Sequence, residues 1–122
     1  MENSYLEVGY GSSISRGCYF EGSGRISIGA RTSIGPECAF LTSHHKRDSD
    51  GNVLSPGFRP IVIGSRVWLG ARVTVLPGAI VEDGCTIAAG AVVTGRCRGN
   101  TVYGGVPARP LQKKLGPDAV SE

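Results

Sequence analysis

The chain has 122 residues, a formal net charge of +3 and only 7% aromatic residues, which indicates one domain without a core of large rings. No apolar run approaches transmembrane length, and the first residues lack the basic and apolar regions of a signal peptide. We therefore expect a cytoplasmic protein that does not bind a membrane. The mild charge, with no groove-reading helix or aromatic platform, also argues against nucleic acid as a partner.

Apolar residues recur at every sixth position, and the longest run is Ile63, Leu69, Val75, Val81, Ile87 and Val93. This period matches neither an amphipathic helix nor an alternating strand. A fixed short repeat indicates stacked units, and a six-residue period is typical of a parallel β-helix. The sequence thus predicts an all-β fold in which each unit forms one face, with its large aliphatic residue inside. Adjacent coils pair as parallel strands.

The first coils are predicted at about residues 6–40. Their inward residues form two shorter runs of the same period, Val8, Ile14 and Phe20, then Ile28, Ile34 and Phe40. The phase slips by two residues between Phe20 and Ile28. We interpret the slip as a small corner insertion or an irregular coil.

The repeat is broken at residues 41–62, a polar stretch with four Gly or Pro residues and both histidines. A long loop that interrupts a regular solenoid is usually functional. Regular coils are predicted again at about 63–98, followed by a cap over 99–122. Within the cap, glycine-rich turns end the solenoid and residues 109–115 are predicted to form a short basic helix. Together these segments make one domain over 1–122.

The cysteines are Cys18, Cys38, Cys85 and Cys97. The first three fall on the small-residue corner of the repeat, and no C-x-x-C spacing is present, so we expect reduced structural cysteines and no metal site.

Basic residues crowd the C-terminal end, namely Arg96, Arg98, Arg109, Lys113 and Lys114. A phosphorylated cofactor suits this cluster better than nucleic acid does.

About residues 26–115 resemble the hexapeptide-repeat acyltransferases, in the branch of the maltose, galactoside and nodulation-type O-acetyltransferases. The resemblance is carried by TSHHKRD at 42–48, RPIVIG at 59–64, VWLGARVTVLPGAIV at 67–81, GCTIAAGAVVTG at 84–95 and YGGVPARPL at 103–111. It implies a left-handed coil, a homotrimer and acetyl-CoA as the donor of an acetyl group. The expected reaction is transfer of that group to a hydroxyl of a small acceptor, with a sugar favoured.

Such a transfer needs a base for the hydroxyl proton, and an imidazole titrates near neutrality. The chain offers only His44 and His45. The resemblance assigns the base to His44, which precedes Trp68 by 24 residues; His45 stays as the alternative. A carboxylate such as Asp48 or Asp50 could orient the ring.

The resemblance also implies contacts to acetyl-CoA. The Ala71 N–H would meet the thioester carbonyl, and Trp68 would line the donor and acceptor site. Arg109 would bind phosphates, for which its planar guanidinium is suited. The remaining assignments are donor contacts at Ala89 and Thr94 and, because Gln112 stands where a second cation is common, a phosphate contact at Lys113.

Two other readings of the sequence remain. A non-catalytic trimeric scaffold or binding protein would share the coil but would need none of His44, Trp68, Ala71 and Arg109. A zinc-dependent carbonic anhydrase with this coil needs three histidines around the metal, which two adjacent histidines supply poorly. The sequence does not identify the acceptor.

Overall fold

The computed structural model describes residues 5–113. Over that range the chain forms seventeen β-strands and no helix, so no helix there could cross a lipid bilayer. The strands wind into a parallel β-solenoid of about five turns, which confirms the all-β coil that the six-residue period predicts.

Three parallel sheets form the faces of the solenoid. The first sheet contains β1 (Leu6–Val8), β4 (Ile26–Ile28), β9 (Ile61–Ile63), β12 (Ile80–Val81) and β15 (Arg96–Cys97). The second contains β2 (Ser13–Ile14), β5 (Ser33–Ile34), β10 (Trp68–Leu69), β13 (Thr86–Ile87), β16 (Thr101–Gly104) and, at its edge, β17 (Arg109–Lys113). The third contains β3 (Tyr19–Phe20), β6 (Ala39–Phe40), β11 (Thr74–Val75) and β14 (Val92–Val93).

The strand register shows the length of each coil. Leu69 lies beside Ile87, eighteen residues further along the chain, which is three six-residue units. In the first coil Ile14 lies beside Ile34, twenty residues further. The two additional residues lie before β4, where the sequence phase slips, and β4 accommodates them by burying both of its isoleucines.

The second coil carries an antiparallel hairpin made of β7 (Ser43–Arg47) and β8 (Val53–Phe58). Because of this insertion, Ile34 pairs with Leu69, thirty-five residues away. The hairpin projects from the corner of the solenoid between the third and first sheets. It lies within the 41–62 segment that interrupts the repeat.

The inward residues of the later coils form one continuous core. Leu69, Val75 and Val81 are fully buried, and the rings of Phe20 and Phe40 stack with centroids 4.7 Å apart. In the first coil, by contrast, Val8 is 44% exposed and Ile14 36% exposed. Each inner residue is therefore covered by the coils on both sides of it, and the first coil has a neighbour on one side only within residues 5–113.

The helix predicted at 109–115 is wrong for residues 109–113, which form β17 antiparallel to β16. Residues 114 and 115 lie outside the described part. A helix of seven residues is marginal in water, whereas the open edge of β16 offers unpaired N–H and C=O groups. Residues 109–113 therefore pair with the edge of β16 instead of forming a helix, and β17 becomes the last strand of the second sheet.

Candidate active site: a corner groove and a histidine hairpin

The hairpin presents both histidines on β7. His44 is paired with Gly57 and His45 with Pro56 across the two strands. Successive side chains of a strand point to opposite faces, so the two imidazoles face opposite sides of the hairpin. His44 is half-buried and His45 is exposed.

The imidazole of His44 lies directly over the backbone of Gly57. A methyl group at Gly57 would lie 2.7 Å from Nε2 of His44, closer than two such atoms can approach. The absence of a side chain at Gly57 therefore gives the His44 ring its place against β8.

The Asp48 carboxylate accepts hydrogen bonds within the turn at the tip of the hairpin. One carboxylate oxygen, Oδ1, accepts the N–H groups of Asp50 and Asn52, each at 2.9 Å, and the other accepts the Asn52 amide at 3.2 Å. These bonds, led by the one from the Asn52 backbone, hold the pKa of Asp48 below its usual value. Asp48 thus serves the turn.

A groove of about 440 Å³ runs along the corner between the second and third sheets. Ala71, Ala89 and Gly90 line it on successive coils, and the Gly90 N–H donates to the Ala71 carbonyl at 2.9 Å. Since these side chains are very small, a long flexible molecule can lie close to the backbone here. Two residues that the resemblance assigns to the donor are thus neighbours in one groove.

Charged side chains border the same groove. Arg72 and Glu37 form an ion pair with Nε and Oε1 2.7 Å apart, and Arg16 lies nearby. The hydrogen bond from Arg72 holds the pKa of the Glu37 carboxyl below its usual value. Two cations and one anion leave this wall with a net positive charge, which suits an anionic ligand.

Arg109 follows a segment that crosses above the last regular coil. The Val92 N–H donates to the Gly105 carbonyl at 3.0 Å, and the Ala108 N–H donates to the Val92 carbonyl at 2.8 Å. Arg109 is exposed, and its Nη1 donates to the Ala108 carbonyl at 3.3 Å. Its guanidinium is therefore exposed at the last turn of the solenoid, where Arg109 pairs with Gly104 across β17 and β16.

The other predicted donor contacts lie elsewhere on the chain. Trp68 is 44% exposed and lines a pocket with Arg31, Ser33 and Arg66 near the corner between the first and second sheets. Thr94 is exposed and follows β14, at the corner where the hairpin also leaves. Lys113 ends β17 opposite Thr101. A single chain therefore does not bring Trp68, Thr94 and His44 into the Ala71–Ala89 groove.

Cys18, Cys38 and Cys97 are free thiols. Burial raises the pKa of the Cys38 thiol and raises that of Cys97 to about 12, so neither forms a thiolate near neutral pH. Within residues 5–113, no three His, Cys, Asp or Glu side chains are grouped as metal ligands would be.

Sequence reasoning missed Glu21, whose carboxylate binds the backbone immediately before His44. The signal that could have pointed to it is the two-residue phase slip that follows Phe20. Reasoning from the sequence also missed Gly57, because only the hairpin register places it under the imidazole.

The regular coils match a known family model. Residues 60–95 match the bacterial transferase hexapeptide model of six repeats. Over 100 residues the chain is 40% identical to a proposed lipopolysaccharide biosynthesis O-acetyl transferase of Escherichia coli K12; the match covers 72% of this chain and 50% of that protein. The chain spans about half the length of the curated relatives it matches.

Solved structures share the fold. One is a hexapeptide-repeat acetyltransferase of Vibrio cholerae complexed with acetyl coenzyme A, with 29% identity, a TM-score of 0.84 and coverage of 89% of this chain and 60% of that chain. Another is a maltose O-acetyltransferase of Clostridium difficile 630, with 30% identity, a TM-score of 0.83 and coverage of 89% and 59%. Sequence and fold agree: the chain belongs to the hexapeptide-repeat acetyltransferases.

Proposed function

We propose that this protein transfers the acetyl group of acetyl-CoA to a hydroxyl of a small acceptor, most favourably a sugar. The observation that carries the proposal is the groove in which Ala71 and Ala89 lie side by side, in a chain that also bears a histidine hairpin. The similarity to a structure complexed with acetyl coenzyme A and to a maltose O-acetyltransferase supports the same donor and acceptor class.

In the proposed reaction His44 removes the hydroxyl proton as the oxygen attacks the thioester carbon. The carbonyl oxygen becomes negative and is stabilised by a backbone N–H. Ala71 suits that role because, within residues 5–113, its N–H has no protein acceptor within hydrogen-bonding distance. The C–S bond then breaks, the ester forms, and the coenzyme A thiolate takes up the proton.

The remaining residues contact different parts of the acetyl-CoA molecule. Arg109 and Lys113 bind its phosphates, Ala89 contacts the extended arm, and Trp68 and Thr94 contact the donor or acceptor. Arg109 is exposed, and it follows Ala108, whose N–H donates to the Val92 carbonyl in the coil that also carries Ala89; both features support the phosphate role.

The position of these residues favours a homotrimer. The hairpin and Thr94 lie at one corner of the solenoid, whereas Ala71 and Ala89 lie at another. A ring of three left-handed coils would bring the hairpin of one copy against the groove of the next. The active site would then be complete only between two subunits.

The test is release of free coenzyme A thiol across a panel of sugars and other hydroxylated acceptors, with His44→Ala and His45→Ala as a matched pair. We expect His44→Ala to lower kcat by about 10²–10⁴-fold while calorimetry still detects acetyl-CoA binding. A selective loss in His45→Ala would move the base to that residue. Normal turnover in both variants would remove the hairpin from the chemistry, and absence of acetyl-CoA binding by the unmodified chain would favour a scaffold.

A further inference from the structure

We propose that Glu21 is a positioning residue: it holds Thr42 and Ser43, where the hairpin begins, and so sets the position of the two histidines. This inference rests on the proposed function, because the position of the histidines matters only if one of them acts as the base. It also assigns a role to the two additional residues of the first coil, which the six-residue repeat does not require.

The Glu21 carboxylate binds the last two residues before His44. Its Oε1 accepts the backbone N–H groups of Thr42 and Ser43, each at 2.9 Å, and the Thr42 hydroxyl lies 2.7 Å away. These partners are twenty-one and twenty-two residues distant along the chain. One oxygen in the first coil thus holds the start of β7 from the side.

Thr42 is the point at which these bonds meet. It is a fully buried polar residue, and each of its polar groups has a partner. Its hydroxyl accepts the Gly24 N–H at 2.9 Å, and its carbonyl accepts the Arg59 N–H at 2.9 Å from the returning leg of the hairpin. Both legs are therefore fixed to the same residue, and Glu21 fixes that residue to the first coil.

The two additional residues of the first coil make room for this arrangement. They belong to the turn between β3 and β4, which contains Glu21 and Gly24. A methyl group at Gly24 would lie 2.7 Å from Cβ of Thr42, so only glycine lets the Thr42 side chain reach its place. The turn of the first coil therefore supplies both the carboxylate and the glycine that Thr42 requires.

The charge of Glu21 contributes to the contact. Bonds from N–H and O–H donors favour the ionised carboxylate, and the Thr42 hydroxyl leads the causes that hold its pKa below the usual value. Hydrogen bonds to an ionised acceptor are about twice as strong as neutral ones. The carboxylate is consequently in its binding form throughout the neutral range.

The experiment compares Glu21→Ala and Glu21→Gln with a matched control, Glu82→Ala. Glu82 also lies at a coil corner and also accepts a backbone N–H, that of Gly99 at 2.8 Å, but it lies away from the hairpin. For Glu21→Ala we expect kcat to fall about 10–100-fold, since a displacement of about 1 Å can cost that much. The KM for acetyl-CoA should change less than about twofold, as the groove is untouched.

Glu21→Gln should recover part of the lost kcat, because its amide oxygen can still accept the three bonds. Amide hydrogen exchange, followed by NMR, reports the geometry independently of activity. The Thr42 and Ser43 amides should exchange at least about tenfold faster in Glu21→Ala and at the unmodified rate in Glu82→Ala. If Glu21→Ala does not fold, Glu21→Gln carries both measurements, with a smaller fall in kcat and a smaller rise in the exchange rates, because a neutral amide oxygen accepts weaker hydrogen bonds than a carboxylate does.

Unchanged exchange at Thr42 and Ser43 would overturn the proposal, and so would faster exchange with an unaltered kcat. If the unmodified chain acetylates no acceptor, the proposed function fails instead. The exchange rates would then still decide whether Glu21 fixes the hairpin, so the two failures are distinguishable.

Discussion

Small and absent side chains shape this molecule at the places where its chemistry is proposed. Gly57 leaves the space that the His44 imidazole fills, and Gly24 leaves the space for Thr42. Ala71 and Ala89 keep the groove shallow and close to the backbone. The side chains of His44 and Thr42 are thus held close to the backbone of these two glycines.

Arg109 gives a prediction for one side chain. Arg109→Ala should raise the KM for acetyl-CoA about tenfold, equivalent to about 1.4 kcal/mol, with little change in kcat, because a phosphate contact holds substrate and transition state equally. Steady-state kinetics would measure both constants. Arg96→Ala is the control, since Arg96 is an exposed arginine of the first sheet, paired with Glu82. An unchanged KM in Arg109→Ala would contradict the phosphate role.

The elements differ in how far the sequence predicts them. The strands of the three sheets are predictable because each contributes one buried residue per six, as Leu69, Val75 and Val81 show. The hairpin is not, since β7 carries only polar residues and its pairing depends on β8. The sequence predicts a helix at 109–115 in place of β17, because local composition does not reveal that the edge of β16 is open. Glu21 could not be assigned, because its partners are distant in the chain.

Contact between neighbouring coils gives a second prediction. A methyl group at Gly70 would lie 2.8 Å from the Ala89 backbone nitrogen, so Gly70→Ala should push the two coils apart beside the groove. We expect a loss of about 1–3 kcal/mol in the free energy of unfolding and weaker acetyl-CoA binding. Urea titration and calorimetry measure these quantities.

The matched control for Gly70 is Gly95→Ala, because a methyl group at Gly95 meets nothing within 4 Å. Equal stability of the two variants would show that the close approach of the coils at Gly70 is not a constraint.

At the scale of the whole molecule, carboxylates contribute to stability: Glu21, Glu37 and Glu82 bind neighbouring coils, and Asp48 binds the turn at the tip of the hairpin. Contacts hold the pKa values of Glu21, Glu37, Asp48 and Glu82 below their usual values of 4.5 for Glu and 3.8 for Asp. Above those values the stabilisation is fully present, and it is lost as the pH falls through the lowered values. The urea midpoint should therefore stay level from pH 7 to about 5 and fall below about 4.5. A midpoint that stays constant down to pH 3 would contradict this origin of stability.

The contacts between subunits are predicted least well, both by the sequence and by the structure of a single chain. The repeat predicts coils that stack, but the corner that carries the groove and the corner that carries the hairpin are separated on one chain. The contacts that would join them lie between copies, where no periodic pattern specifies the partner.

The central claim is that acetyl-CoA lies in the Ala71–Ala89 groove with its thioester beside a hairpin histidine. A crystal structure of the full chain with acetyl-CoA tests it most directly. We expect the thioester oxygen about 3 Å from the Ala71 N–H, with the hairpin of a neighbouring subunit of a trimer presenting an imidazole to the acetyl group. Acetyl-CoA bound on another face, or both imidazoles turned away from the thioester in the assembled protein, would contradict the account.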